Sequence, residues 1–476
     1  MSKRLIGIIL IILILVIYYL SFTTEKATSA IWQTEFDDKI LSDPIPVSGK
    51  FVFWGGNKGK NLYKLYLINA QGQKVAESVN LPHLPFDPIV IGDKIIMADH
   101  GRMLRAFSSV DLKVIWEVPS NDLFELPPFK CDVPVLSQNN NSIAKKITPC
   151  VTQMSGKSIF CIDPQTGKQI WDVTVLDGMK NYASDKVLIA IHGYKDIKNP
   201  VWKCSAYDLE DGVDLWNLEE IVSKETPLFI KNTCILTSSE GEVIVVDQLT
   251  GKVLLKNDAK GFIAVKALDQ GVLLANQSYT TIAYLSLLTG KSWTSSIKKD
   301  FVGAVQIGSR LIVADKVSLR CFNIDSGEVV WMKELGDIYG LSPHRNGIFV
   351  TYKSDFSSRT TYAACLEADS SENLWLANGS SIFKKPCPTA DGDLLINYDG
   401  SIRLMPKPQF KTLSNTPTPA VAMPDPTDKV NKVFENKNAS KTKTLPSKTE
   451  DKKTNAESNQ AIPSVLPTVS DEDAGW

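Results

Sequence analysis

Three features of the sequence predict an all-β fold assembled from repeated four-stranded antiparallel units. A turn motif with an aromatic residue behind it recurs at intervals of 37 to 55 residues. Between successive turns lie short runs rich in β-branched and aromatic residues, with period-two character and broken by turn residues. Outside one apolar stretch near the N-terminus, no run of apolar residues has the helical period of about 3.6.

The repeat is the first element to justify, because it decides how every motif inside it is weighed. The aligned turns read INAQGQKVAESV (68–79), SSVDLKVIWEV (108–118), DPQTGKQIWDV (163–173), DLEDGVDLWNL (208–218), DQLTGKVLLKN (247–257), SLLTGKSWTSS (286–296), NIDSGEVVWMK (323–333) and EADSSENLWLA (367–377). The position four beyond the turn glycine, or its equivalent, falls at 76, 116, 171, 216, 255, 294, 331 and 375. Five of these are Trp116, Trp171, Trp216, Trp331 and Trp375. In one unit, residues 88–118, four short runs are parted by Gly-Asp, His-Gly and Ser-Val-Asp. Four short antiparallel strands repeated every ~40–45 residues describe a β-propeller, in which each blade buries its faces on its neighbours.

Ring closure leaves its own mark. SAIWQTEF (29–36) reads as the last strand of a unit whose first three strands are missing, which adds Trp32 to the tryptophan series. PCPTADGDLLINYDGSIRLMPKP (386–408) has first strands and no Trp-bearing last one. Pairing the two closes the ring and removes exposed sheet edges. This count gives nine units.

The ends differ in kind from the repeat. After Lys3 and Arg4 comes LIGIILIILILVIYYLSF, residues 5–22, without a charge. Its length approaches the ~20 residues of a spanning helix and exceeds a signal-peptide core of about 7–15. The reading is a cytoplasmic stub (1–4), a transmembrane signal anchor (5–22), a linker (23–29), the propeller (30–408) and a Pro/Lys/Thr-rich tail (409–476). The basic pair stays inside, placing the propeller in the periplasm or outside the cell. Cleavage after Ala30 and secretion is the alternative. No cysteine follows the apolar run, which excludes a bacterial lipoprotein anchor. Residues 414–476 contain seven prolines and only two aromatics, Phe434 and Trp476, so the tail is predicted to be disordered. With 52 basic and 53 acidic residues, the chain has no electrostatic reason to bind nucleic acid.

The D-x-x-T-G-K-x-x-W turn, clearest in DPQTGKQIW and NIDSGEVVW, resembles the repeat of the pyrroloquinoline-quinone (PQQ) type, quinoprotein-like β-propellers. The resemblance covers roughly residues 30–408 and implies eight blades, one fewer than the units counted. Quinoprotein dehydrogenases of this kind add a Cys-Cys disulfide, calcium ligands and a catalytic Asp. No Cys-Cys dipeptide occurs here, so no catalytic or cofactor-binding residue carries over. Among propellers with this repeat, the chain is similar to the BamB type of outer-membrane-protein assembly factor. That resemblance implies a scaffold whose partners are other envelope proteins, among them β-barrel assembly components.

The remaining motifs read as architecture. TGKS (289–292) lacks the glycine of a phosphate loop, since position 285 is Leu, and TGK recurs at 166–168 and 250–252 in the same turn. The four histidines (His83, His100, His192 and His344) show no metal-ligand spacing. The acids of 208–216 do not follow the ligand order of an EF-hand loop. Cys161, Cys321 and Cys365 each precede the turn glycine or its equivalent by six residues, where another unit has Ala206, so they read as small buried residues. Cys131 and Cys150 fall in one unit, flanking 136–149, and form a candidate disulfide in an oxidising compartment. The tryptophans, in phase with the turn, are assigned to blade packing: Trp32, Trp116, Trp171, Trp216, Trp331 and Trp375. Trp54 and Trp202 stand outside the series and are the aromatic candidates for a binding surface.

The functional expectation is a non-catalytic, membrane-anchored scaffold with no cofactor and no metal. It recognises partners through loops at one end of the ring, the longest being 136–149, 192–203 and 352–361. The competing readings are a degenerate quinoprotein or cofactor-binding sensor, and a cell-surface or cell-wall-associated protein.

Overall fold

The structure, a computed structural model, describes residues 27–411 apart from 125–126, 140–141, 156–157, 175–179, 185–186, 195–200, 223–224, 239, 260 and 355–358. The anchor (5–22) and nearly all of the tail therefore lie outside the described residues. Within them, nine antiparallel sheets follow one another: residues 39–77, 89–119, 129–174, 180–222, 228–258, 262–296, 301–334, 337–379 and 387–406. They are called sheets one to nine below. Each has four strands in sequential order except sheet one, where a short additional strand, Ile45–Val47, also pairs with Lys50–Asn57, and sheet nine, whose 387–406 supplies only three strands.

Why these segments form this layout follows from their burial. The second strands, such as Lys94–Asp99 and Arg310–Asp315, are buried at nearly every position because a neighbouring sheet covers each face. Outer strands such as Val329–Glu334 alternate instead, with one face toward the next sheet and one toward solvent. First strands lie against one another between sheets two and three, five and six, six and seven, and seven and eight, so they line the centre.

Nine apolar clusters join the sheets in succession. Val52 and Leu65 meet Ile95 and Phe107 between sheets one and two. The same pattern continues round to Phe349 and Trp375 against Leu395 and Met405 between sheets eight and nine. The last cluster closes the circle, setting Leu394 and Ile402 of sheet nine against Phe53 and Ile68 of sheet one. Trp32–Glu35 supplies the fourth strand of sheet nine, with Trp32 opposite Leu404 and Glu35 opposite Ser401. The count of nine sheets equals the count of repeat units and exceeds by one the eight blades implied by the resemblance. The unit at 39–77, with Ala76 where most units have a tryptophan, forms a full sheet.

The turn and the tryptophan work as one device. In DPQTGKQIW, Gly167 N–H donates to Asp163 O at 2.9 Å, and the Asp163 carboxylate accepts from Gln165 N and Thr166 Oγ1 at 2.8 Å each. Gly167 has φ +72°, and a Cβ there would sit 2.8 Å from the ring of Trp116 in the preceding sheet. Trp116 Nε1 donates to Pro164 O in the same turn at 3.0 Å. Trp116, Trp171 and Trp216 each lie on the next sheet's turn glycine and bond a carbonyl of that turn. Gly167→Ala therefore carries left-handed strain and a ring clash, together about 1–3 kcal/mol. Gly92 also has positive φ (+62°) but open space around its Cβ position. Gly92→Ala should consequently cost less in urea unfolding, and equal midpoints for the two variants would refute the ring contact.

Strand alternation sorts the connections to two ends of the ring. Links between first and second strands and between third and fourth strands lie at one end, here the turn end. Links between second and third strands, and the passages to the next sheet, lie at the other, the crossover end. Residues 136–149, expected as a loop, are instead most of a hairpin of Phe129–Asn139 and Ser142–Ser155, in register from Phe129↔Thr152 to Asn139↔Ser142. This hairpin is at the turn end. Of the other two expected loops, 192–194 pairs with 201–203 and Lys353 pairs with Thr361, where second strands end and third strands begin, at the crossover end. The three excursions do not form one cluster, which corrects the expectation of a single loop surface.

Candidate functional site

Most of the residues singled out in the sequence are used by the seams. Trp171 Nε1 donates to Leu209 O at 3.0 Å, Trp216 to Gln248 O at 2.8 Å and Trp331 to Ala368 O at 2.8 Å. Trp375 departs from the pattern and donates to the Asp393 carboxylate at 2.9 Å. Trp32 lies on the turn glycine of sheet one, Gly72. Trp293 belongs to the same set and was missed. It bonds Ile324 O at 2.9 Å and lies on Gly327. Its hairpin lacks the register shift found beside Trp171 and Trp331, so the tryptophan comes one residue earlier, and a fixed count of four passes over it.

The small residues face these indoles across the outer hairpins: Ala106 opposite Trp116, Cys161 opposite Trp171, Ala206 opposite Trp216, Cys321 opposite Trp331 and Cys365 opposite Trp375. Burial pushes the Cys321 and Cys365 thiols up to about 12, so neither is a nucleophile at neutral pH. Cys131 and Cys150 stand directly opposite one another in backbone register, while their side chains lie outside the described residues. Trp54 is not on a binding surface: it is buried in the seam between sheets one and two and donates to Asp87 Oδ1 at 3.1 Å. Trp202 is partly buried against the cluster between sheets four and five.

Two constellations remain that sequence reading did not find. The first is a cleft of about 600 Å³ along the closing seam, between the strand Trp32–Glu35 and the outer strands of sheet one. Glu35, Asp37 and Asp38 line one wall, and Lys64, Tyr66, Lys74 and Glu77 the other. Lys64 and Lys74 Nζ lie 2.9 and 2.8 Å from the two oxygens of Glu77, and their hydrogen bonds hold its carboxyl below the ordinary range. Tyr66 donates to Asp38, and burial followed by that carboxylate pushes the phenol well above its usual value. Tyr66 is therefore a fixed donor, and the lysines are already engaged. Such a cleft suits a polar or cationic chain better than proton transfer.

The second lies at the crossover end. Lys316 and Lys353 place their Nζ atoms 5.6 and 5.5 Å from the ring centre of Tyr339. Burial, then the hydrogen bond with Asp337, pushes the Tyr339 phenol up to about 12. Lys353 ends the second strand of sheet eight, so this cationic and aromatic patch sits where a connection flagged by the sequence begins. Among the described residues, no group of His, Cys, Asp and Glu is arranged to hold a metal ion.

The ring of four-stranded sheets, its glycine-backed tryptophans and its terminal closing strand define a PQQ-type repeat β-propeller. The profile of the family described as outer membrane protein assembly factor BamB matches residues 148–259 and 201–405. The chain belongs to that family. No curated protein matches it. Among solved structures, it is similar to BamB from Moraxella catarrhalis at 13% identity, covering 67% of this chain and 95% of that one with a TM-score of 0.43. It is similar to a eukaryotic initiation factor at 7% identity, covering 77% and 93% with a TM-score of 0.51. It is also similar to quinohemoprotein alcohol dehydrogenase from Comamonas testosteroni at 10% identity, covering 82% and 78% with a TM-score of 0.45. At these identities the likeness concerns the fold alone.

Proposed function

We propose that this protein is a non-catalytic protein-binding scaffold of the cell envelope. It is held in the membrane by residues 5–22, with its propeller in the periplasm or outside the cell, and it works with β-barrel assembly components. The observation that carries this reading is the family match over most of the ring. Two physical points support it. The repeated motif residues are occupied in packing, and the polar surface that remains is spread over two ends and a seam, as recognition of large partners requires. Extended partner segments can also add to the outer edge of a sheet through backbone hydrogen bonds.

The test is envelope crosslinking with a tagged full-length chain, followed by identification of what is captured. Enrichment of barrel-assembly subunits over a tagged, unrelated anchored protein is the expected result. Recovery of wall polymer in their place would sink the assembly reading.

A further inference from the structure

The seams of the ring set two recurring positions against each other. The first, on a third strand, lies four residues before the carbonyl that accepts from the turn glycine's N–H. The second, on the second strand of the next sheet, stands opposite the residue that precedes that sheet's own acceptor. These positions hold Ile159 and Leu188 between sheets three and four, and both lie in one apolar cluster. They hold Ile282 and Leu311 between sheets six and seven, and Leu319 and Ile348 between seven and eight, again one cluster for each pair. Between sheets four and five they hold Cys204 and Cys234, which share a cluster in the same way. Both are thiols in this structure, and neither has exposed surface.

Register shows how the two meet. Trp216 stands opposite Ala206 and donates to Gln248 O in the turn of sheet five, so Ala206 is level with that turn. Cys204 lies two residues from Ala206, on the same face and toward the crossover end. Val246 lies two residues from Gln248 in the same direction, and its partner on the second strand is Cys234. Cys204 is therefore level with Cys234. The indole, on a fourth strand, reaches a link between third and fourth strands, half a strand nearer the axis. Shifted by the same amount, the third-strand Cys204 faces the gap between Val246 and Cys234. Burial raises the Cys234 thiol well above its ordinary value, and the neighbouring Cys204 raises it further.

We propose that Cys204 and Cys234 are joined by a disulfide in the folded protein, a covalent bond between sheets four and five. The inference rests on the reading that the propeller lies in the periplasm or outside the cell, where disulfides persist. Packed sheets carry such a bond elsewhere, as between the two sheets of antibody domains. Packing gives the seam a reason for it. Two thiols fill less space than the aliphatic pairs of the other seams, and an S–S bond of about 2.05 Å draws the sheets together over the difference. The oxidant is a second disulfide, on a small molecule or a protein. One cysteine thiolate attacks it, releasing a thiol and leaving a mixed disulfide, and the other thiolate then displaces the second thiol. The pair gives up two protons and two electrons, and the oxidant becomes two thiols. The exchange takes place as the chain folds, before the seam closes. In the closed seam, burial pushes the Cys204 thiol up to about 12, which leaves little thiolate to react.

The test uses the full-length chain. Envelopes are quenched in acid, thiols are blocked with N-ethylmaleimide, and the protein is digested without reduction for mass spectrometry. The expected result is a peptide pair joining Cys204 to Cys234, lighter than its parts by two hydrogens and separated by reduction. Its absence overturns the proposal, and a second sample tells which premise failed. In that sample the purified chain is unfolded, reduced and refolded in detergent with a glutathione redox buffer. A bond formed only in the buffer faults the compartment, whereas no bond in either sample faults the geometry. The double variant Cys204→Val and Cys234→Val restores the aliphatic pair of the other seams and should fold. Reduction should lower the urea midpoint of the wild type by about 0.5 M more than that of this variant. Equal drops would overturn the bond.

Discussion

Trp375→Ala is expected to lower the unfolding free energy by about 3–5 kcal/mol, the range for removing a large buried aromatic. Trp375 is only 1% exposed and lies in the cluster that joins sheets eight and nine. It faces Cys365 across its hairpin and packs beside Phe349 with ring centres 6.1 Å apart. Its indole also donates to the Asp393 carboxylate. Trp375→Phe keeps most of the apolar contact and loses that hydrogen bond, so its cost should be about 1.5–3 kcal/mol. Urea unfolding of the purified protein, with the m-value compared between variants, reads both. A loss below 1 kcal/mol in the alanine variant would contradict the seam assignment.

Asp393→Ala should cost as much, about 3–5 kcal/mol, for a different reason. Asp393 has no exposed surface and gathers three partners: Arg345 Nε at 2.8 Å, His344 Nε2 at 2.8 Å and Trp375 Nε1 at 2.9 Å. Arg345 also donates to Thr389 O and Gly392 O, so the guanidinium is held in place around the acid. Removing the carboxylate leaves these donors without their common acceptor. Asp393→Asn keeps an oxygen for Trp375 and should cost less. Burial raises the acid's pKa, but the hydrogen bonds from His344, Arg345 and Trp375 outweigh it and hold the carboxyl below its ordinary value. A carboxyl depressed in the folded state stabilises the fold above its unfolded pKa of about 3.9. That stability is lost as the pH falls through the lower, folded value. The wild-type urea midpoint should therefore drop on acidification below about pH 4, and the part of the drop due to this site should vanish in Asp393→Asn. An identical acid slope in both proteins would remove Asp393 from the account.

How far the candidate sites were legible depends on whether their residues carry a period. The tryptophan seams were legible because turn, glycine and indole recur together, and a repeated contact leaves a repeated pattern. Trp293 escaped because a missing bulge shifts it by one residue, a change of backbone register that composition does not report. The cleft of Glu35, Asp38, Tyr66 and Glu77 was not legible, since its walls come from the closing strand and from the sheet that follows in space. The Asp393 network was hidden for the same reason: His344, Arg345 and Asp393 sit in two different sheets and in no motif.

The sequence by itself determined that the protein is an all-β ring of repeated sheets closed by its N-terminal strand. Period-two runs, turn residues and spaced tryptophans are local signals, and local hydrogen bonding and packing respond to them directly. Only the tertiary structure decided which end of the ring each excursion occupies, that 136–139 and 142–149 pair as a hairpin, and which charges meet across a seam. Those facts depend on strand direction and on contacts between residues far apart in the chain. A one-dimensional pattern contains the strands but not the side of the ring on which each connection emerges.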